Sequence, residues 1–332
     1  MTASKNQAQD PRGRTCSGHP RLGTARSAGH EDVDARDKPG QGDFVDTELG
    51  ATIGSVLDEA TVMLAAAGLE EARRRARQIV VAAMQLSAAE VFAHPQRHVG
   101  EEERVRIEAM TRRAAAREPL SRVLGRREFW GLDFVLSPET LDPRPDSETL
   151  VEAVLARLPN RETAYGFLDL GTGSGCLLLA LLSEYPKASG IGVDIAFGAA
   201  RTARHNAERL GLGGRARFIG GDWGAALSGR FDAVITNPPY IAAAELERLP
   251  PEVRDHDPRR ALDGGTDGLT AYREIVRDVP RFLVPGGLFA AEIGLGQAEA
   301  VAKIVTAGGL VVEPAAPDLA GIPRVIVARR PG

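Results

Sequence analysis

The sequence predicts an α/β protein: a doubly wound, mostly parallel sheet of seven strands with an antiparallel end, preceded by a small helical domain. Three observations predict it. Beyond residue 165, short apolar strands alternate with helix-length segments, which implies a parallel sheet covered on both faces. The first strand runs into a glycine turn and an apolar helix, "FLDLGTGSGCLLLALL" (167–182), the Rossmann-like order of strand, turn and helix. Between residues 49 and 117 apolar side chains recur instead at three and four, the period of helices.

At 332 residues the chain has room for about two domains. Its 43% hydrophobic and 26% charged content is ordinary for a globular protein, which sets aside collagen-like and wholly disordered classes. The longest strongly apolar run, "CLLLALL" (176–182), falls far short of the ~20 residues of a membrane span. Cys16 and Cys176 stand far apart in unlike contexts. That excludes a disulfide framework and a cysteine-based metal site, and fits a cytoplasmic protein. The net charge of −4 conceals an asymmetry: residues 70–127 carry +5, while residues 128–332 carry −6. Solvated helix faces explain the basic stretch more simply than a dedicated docking surface does.

The elements follow in order. Residues 1–46 are rich in Gly, Pro, Ser, Arg and Asp, and cannot bury enough apolar surface to offset ordering entropy; they are expected to form a disordered leader. Residues 47–122 form the helical domain, of about four helices, with openings at Ser87 and at "GEEE" (100–103), where acids favour the positive helix end. Residues 123–146 alternate and then meet prolines, a hairpin linker. Residues 147–332 form the sheet domain, entered by a helix that Ser147 is placed to cap. Its strands read "GFLDL", "SGIGVDI", "ARFIGGD", "FDAVITN", "GGLFAAEIG", "LVVEPAA" and "RVIVARR". Helical segments lie between the first five. Only "PDLAGIP" joins the last two, too short for a crossover, hence the antiparallel end.

Gly171, Gly173 and Gly175 leave bare backbone where a ligand must approach, and permit the positive φ of a tight turn. Cys176 stands where a dinucleotide fingerprint needs its last small residue. A glycine turn alone is weak, since many such turns only pack. Asp194 ends the next strand, where a carboxylate suits a ribose diol, although it is also an ordinary strand-end cap. Asp222 and Trp223 end the third, an acid and an aromatic face for an adenine; Trp223 alone would be core filler. Three successive strands thus offer ligand groups at one sheet edge. No GxxxxGK[ST] phosphate cradle accompanies them, so the ligand is an adenosine without a polyphosphate, and S-adenosyl-L-methionine fits best.

The fourth strand ends in Asn237-Pro238-Pro239-Tyr240. Prolines cannot donate and hold φ near −65°, so this is a rigid elbow beside the glycine turn. A planar NH2 acceptor has a delocalised lone pair. The Asn237 side-chain oxygen and the Pro238 carbonyl can accept its two N–H bonds and turn that lone pair toward a sulfonium methyl, while Tyr240 gives a flat wall.

"NPPY" after this glycine turn resembles the amino-methyltransferases that use S-adenosylmethionine, whose acceptors are adenine N6, cytosine N4 or glutamine N5. "REPLSRVLGRREFWGLDF", "LDPRPDSETLVEAVL", "DLGTGSG", "NPPYI", "EVRDHDPRRALDGGTDGLTAYREI" and "PGGLFAAEIGLGQ" together resemble the peptide chain release factor glutamine N5-methyltransferases. The resemblance runs from about Ala51 to Arg330. It implies methylation of the glutamine in the GGQ loop of release factors, gripped by the helical domain. It implies cofactor contacts at Gly171, Thr172, Gly173, Ser174, Gly175, Asp194, Trp223 and Asn237. It implies glutamine contacts at Asn237, Pro238, Pro239 and Tyr240, with catalysis resting on Asn237, Pro238 and Tyr240 and no metal. The chain departs from the family pattern at His256, in "EVRDHDP", and at Ser147, where the family tends to show threonine. A nucleic-acid adenine methyltransferase shares loop and elbow, but needs a basic recognition surface that this acidic sheet domain lacks.

Overall fold

The computed structural model describes residues 50–225 and 227–332. The leader expected over 1–46 lies outside the described residues.

Five helices come first: α1 (Ile53–Ala66), α2 (Ala72–Met84), α3 (Ala88–Ala93), α4 (Glu101–Ala115) and α5 (Leu120–Leu124). Their ends follow local chemistry. Thr52 and Ser55 close a reciprocal capping box on α1, and Ser87 and Glu90 do the same on α3. At α4 Glu103 accepts from the Gly100 N–H at 2.9 Å, and three glutamates in the first turn face two arginines in the last, both complementing the helix dipole. The inward stripes, including Ile53, Leu64, Ile79, Val80 and Ile107, form a core of their own. Each such side chain, fully buried, contributes about 1.5–3 kcal/mol.

The hairpin predicted over 123–146 is β1 (Arg126–Phe129) and β2 (Leu132–Val135), turned at Trp130-Gly131 with both φ positive, as a tight two-residue turn requires. Helix α6 (Glu148–Arg157) follows. The sheet region then runs β3 (Gly166–Leu170), α7 (Cys176–Glu184), β4 (Ser189–Asp194), α8 (Phe197–Arg209), β5 (Ala216–Gly220), β6 (Phe231–Thr236), α9 (Pro251–Arg254), α10 (Thr270–Phe282), β7 (Leu283–Glu292), α11 (Ala298–Ala307), β8 (Val311–Val312), β9 (Ala316–Pro317) and β10 (Pro323–Arg329).

The sheet order is β5-β4-β3-β6-β7-β10-β8, with β9 also on β10; the first five strands are parallel and β10 runs antiparallel to β7, β8 and β9. Alternate residues of β3 and β6 feed two cores. Phe167, Ala233 and Ile235 pack with α6, α7 and α8, whereas Leu168, Leu170 and Val234 pack with α10 and α11. Both strands are therefore apolar on both faces, as in a covered parallel sheet.

Three details differ from the sequence reading. Residues 221–230 carry only turns among those described, not a helix. Helix α11 lies between the fifth and sixth predicted strands, a crossover the reading left out. "LVVEPAA" breaks at Glu313-Pro314 into β8 and β9, because Pro314 has no N–H to donate to the neighbouring strand, so the sheet counts eight strands.

Candidate active site

The chain leaves β3 toward β4 and leaves the neighbouring β6 toward β7 on the opposite side, so a crevice opens between their carboxyl ends. The parallel register pairs Leu170 with Thr236, so Gly171 and Asn237 are the next residues out on neighbouring strands. Glycine loop and elbow meet for that reason.

Two cavities open at this edge. The first, about 310 Å³, is lined by the loop from Gly171 to Ser174, by Asp194, Asp222 and Trp223, and by Asn237 and Pro239. The second, about 170 Å³, is lined by Leu141, Arg144, Asn237, Tyr240, Val253 and Glu292. Asn237 lines both. Pro238 is buried behind it and lines neither. Gly175 caps α7 at φ +83°, packed against Ala203 and Phe218, and shapes the loop without lining the cavity.

On the first side, Gly173 has φ +56° and open space where a Cβ would stand, so its bare backbone faces the cavity. The Asp194 carboxylate accepts from the N–H of Gly173 and of Ala196, each at 2.8 Å, which ties the loop to the end of β4. Burial raises the Asp194 pKa, and those two backbone bonds oppose the rise. Trp223 is half-buried and donates through Nε1 to Glu274 at 3.0 Å. Ser174 Oγ is buried without a partner. Asp169, fully buried beneath the loop, accepts from Thr172 Oγ1 at 2.6 Å. Desolvation pushes its carboxyl up to about 7. Bare glycine backbone, an orphaned hydroxyl, a carboxylate and an aromatic face make a lining that fits an adenosine bearing a charged tail. Among the described residues no cluster of metal-ligating side chains occurs.

On the second side, the Asn237 Nδ2 donates to Ser147 Oγ at 3.1 Å and to Glu292 Oε2 at 2.7 Å. Ser147 therefore does not cap α6 as the sequence predicted. It has helical backbone angles, makes no cap bond, and lies in the site instead. Glu292 ends β7, and the register Thr236↔Ala291 sets it beside Asn237. The Tyr240 hydroxyl points at Glu292 Oε1, 3.4 Å away. Burial pushes Glu292 up to about 7, against hydrogen bonds from Ser147, Asn237 and Tyr240 that favour its ionised form. Burial and the neighbouring Glu292 charge raise the Tyr240 phenol well above its ordinary value.

The segment after the elbow clamps it. Gln297 Nε2 donates to the Tyr240 carbonyl at 2.9 Å, and a Cβ on Gly268 (φ +73°) would stand 2.4 Å from that same oxygen. In "EVRDHDP" the anchor is Asp257 rather than His256. Its buried carboxylate binds Arg122 of α5 at 2.5 Å and also Arg144. Sequence reasoning missed Ser147, Glu292, Arg144 and Asp257 as site residues. A buried acid at the end of an apolar strand was the one signal available for Glu292.

A glycine loop on the central strand, with two cavities meeting at one asparagine of the next, defines a methyltransferase. The family description "Methyltransferase small domain" matches residues 128–249, and "PrmC N-terminal domain" matches 55–125. The chain is 48% identical over 301 residues to a release factor glutamine methyltransferase of Rhodospirillum rubrum, covering 90% of this chain and 92% of that one. It is 45% identical over 288 residues to one of Bradyrhizobium diazoefficiens, covering 86% and 97%. A solved release-factor-specific protein-(glutamine-N5) methyltransferase of Alicyclobacillus acidocaldarius is 28% identical, with a TM-score of 0.36 over 60% of this chain and 100% of that one. The chain belongs to the release factor glutamine methyltransferase family.

Proposed function

We propose that this protein transfers a methyl group from S-adenosyl-L-methionine to the side-chain amide nitrogen of the GGQ glutamine in peptide chain release factors. One observation carries the reading: Asn237 stands on the wall between the two cavities with its NH2 already engaged, so its Oδ1 is free to accept. The first cavity is assigned to the cofactor, which supplies a methyl on a sulfonium. Gly171 to Gly175 shape its cradle, Asp194 takes the ribose hydroxyls, and Trp223 lies against the adenine. The second cavity is assigned to the glutamine, beside Tyr240, with Pro239 on the cofactor side of the elbow.

Asn237 Oδ1 is assigned one amide N–H bond and the Pro238 carbonyl, which the glutamine must reach beyond the cavity lining, the other, so that together they hold the nitrogen lone pair on the methyl axis. Such positioning contributes up to ~7–11 kcal/mol to lowering a barrier. With the cofactor bound, attack on its sulfonium methyl would return the S–C electron pair to sulfur as a neutral thioether, and the nitrogen proton would pass to water afterwards, so no base is needed before transfer.

We assign residues 47–122 to release factor docking, with the linker 123–146 joining them to the catalytic residues 147–332. A groove between the helices and the hairpin, lined by six arginines and six acids, among them Arg74, Arg77, Arg126, Glu71, Glu128 and Asp133, offers a polar surface for that assignment. No helix among the described residues is long and apolar enough to cross a membrane. A release factor substrate implies a cytoplasmic reaction, and no nucleic-acid substrate is invoked. Incubation of a purified release factor with the enzyme and cofactor, followed by peptide mass spectrometry, tests the reading: one added methyl on the GGQ glutamine supports it, and an unmodified glutamine contradicts it.

A further inference from the structure

An asparagine amide has two faces, a donor NH2 and an acceptor oxygen, and nothing in its shape decides which one meets a substrate. Here the surroundings decide it. Ser147 Oγ and Glu292 Oε2 lie 3.1 and 2.7 Å from Nδ2, one acceptor for each of its two hydrogens. Both partners are almost wholly enclosed, at 2% and 3% exposure, and come from elements far apart in the chain, the start of α6 and the end of β7. A flipped Asn237 would set its oxygen against the Glu292 carboxylate and leave its NH2 unpaired, a loss on two counts. Glu292 also lines the second cavity, whose wall at this point is thus made of acceptors: a carboxylate and the Asn237 oxygen.

We propose that Glu292 and Ser147 are positioning residues that hold both N–H groups of Asn237, turn its Oδ1 alone toward the acceptor cavity, and so make the site select an NH2-bearing side chain over a carboxylate. This rests on the assignment of the second cavity to the glutamine. A glutamate in the GGQ position would meet the Asn237 oxygen and the Glu292 carboxyl where the glutamine presents its NH2, with no N–H to offer either.

The test uses the full chain with a release factor, reading kcat, KM, cofactor affinity by calorimetry and melting temperature. S147A and E292Q should each lower kcat about ten-fold or more while KM and cofactor affinity stay within about two-fold, the signature of lost orientation. S147T, which keeps the hydroxyl, should recover most of what S147A loses. The decisive variant reverses the hydrogen bond. N237D sets two carboxylates together. In N237D/E292Q the introduced amide donates its NH2 to the introduced carboxylate, whose other oxygen faces the cavity. The double variant should exceed N237D in kcat by about five-fold or more. Undiminished kcat in folded S147A and E292Q, or a double variant no better than N237D, overturns the proposal.

A readout independent of turnover separates this from failure of the substrate reading. The side-chain NH2 resonances of Asn237, identified by their loss in N237D, should shift in both E292Q and S147A. Unmoved resonances overturn the proposal even where no release factor is methylated; shifted resonances with no methylation leave it standing and overturn only the proposed substrate.

Discussion

In the proposed reading Asp194 serves loop and ligand at once. Both of its oxygens already hold backbone N–H groups, so its remaining lone pairs are aimed by the loop that it fixes. Asp194→Ala should weaken S-adenosylmethionine binding by about 1.5–3 kcal/mol, the range for a charge-assisted hydrogen bond. Calorimetry on the folded variant checks this, and unchanged affinity would remove Asp194 from the cofactor site. Glu292 makes a prediction of the opposite kind, about stability. Its carboxyl titrates near 7 when folded against an ordinary value of 4.5, so the fold prefers the protonated form. The stabilising contribution is complete below the ordinary value and is lost as pH rises through about 7. E292Q cannot ionise, so its stability relative to wild type should rise by about 1–3 kcal/mol between roughly pH 5 and 8. Denaturant melts at the two pH values measure it, and a flat or falling difference contradicts a raised carboxyl at this position. Neither Glu292 nor Ser147 was legible as a partner of Asn237. Their chain separations from it, 55 and 90 residues, close only through strand register and the docking of α6.

At the scale of elements, what the sequence made legible was what depends on neighbours in the chain. Strand β3, its glycine loop and α7 follow from local pattern, as do β6 and the proline elbow after it, because period and turn chemistry act over a few residues. The miscounted strand near Pro314 and the unread α11 belong to the sheet edge, where short strands and a modest apolar stripe give weak signals. The function of "EVRDHDP" was hidden for a different reason. Its buried Asp257 gains meaning only from Arg122, 135 residues earlier, and from Arg144. That carboxylate ties α5, the linker and the post-elbow segment into one buried ion cluster. Asp257→Ala would strand a buried guanidinium, the Arg122 side chain being 7% exposed, and should cost about 3–5 kcal/mol. A fall in melting midpoint of under about 1 kcal/mol equivalent would show that the cluster does not hold these elements together.

At the scale of the whole molecule the proposed division of labour follows the division of charge. The basic stretch 70–127 contributes arginines to a groove beside the hairpin, and the acidic remainder carries the chemistry. The sequence alone favoured solvated helix faces for those arginines. Many do pair with exposed acids, such as Arg73 with Asp58 and Arg104 with Glu101. In the groove itself Arg74 pairs with Glu71 and Arg126 with Asp133; such exposed pairs contribute little, about 0–1 kcal/mol each, so a partner's acids can replace them. Reversing two of them on α2, Arg74→Glu with Arg77→Glu, should raise KM for the release factor about ten-fold or more while cofactor affinity holds. An unchanged KM would leave the helices without a role in docking.

The central claim is that the asparagine between the two cavities orients one glutamine nitrogen to take the methyl of S-adenosylmethionine. The measurement closest to it is peptide mass spectrometry of a release factor after incubation with S-adenosylmethionine and either wild-type protein or Asn237→Ala. A single methyl on the GGQ glutamine is predicted with wild type, with almost none from the folded Asn237→Ala variant and none when that glutamine is replaced. A methyl carried by adenine in nucleic acid while the release factor stays unmodified, or equal labelling by Asn237→Ala, would contradict it.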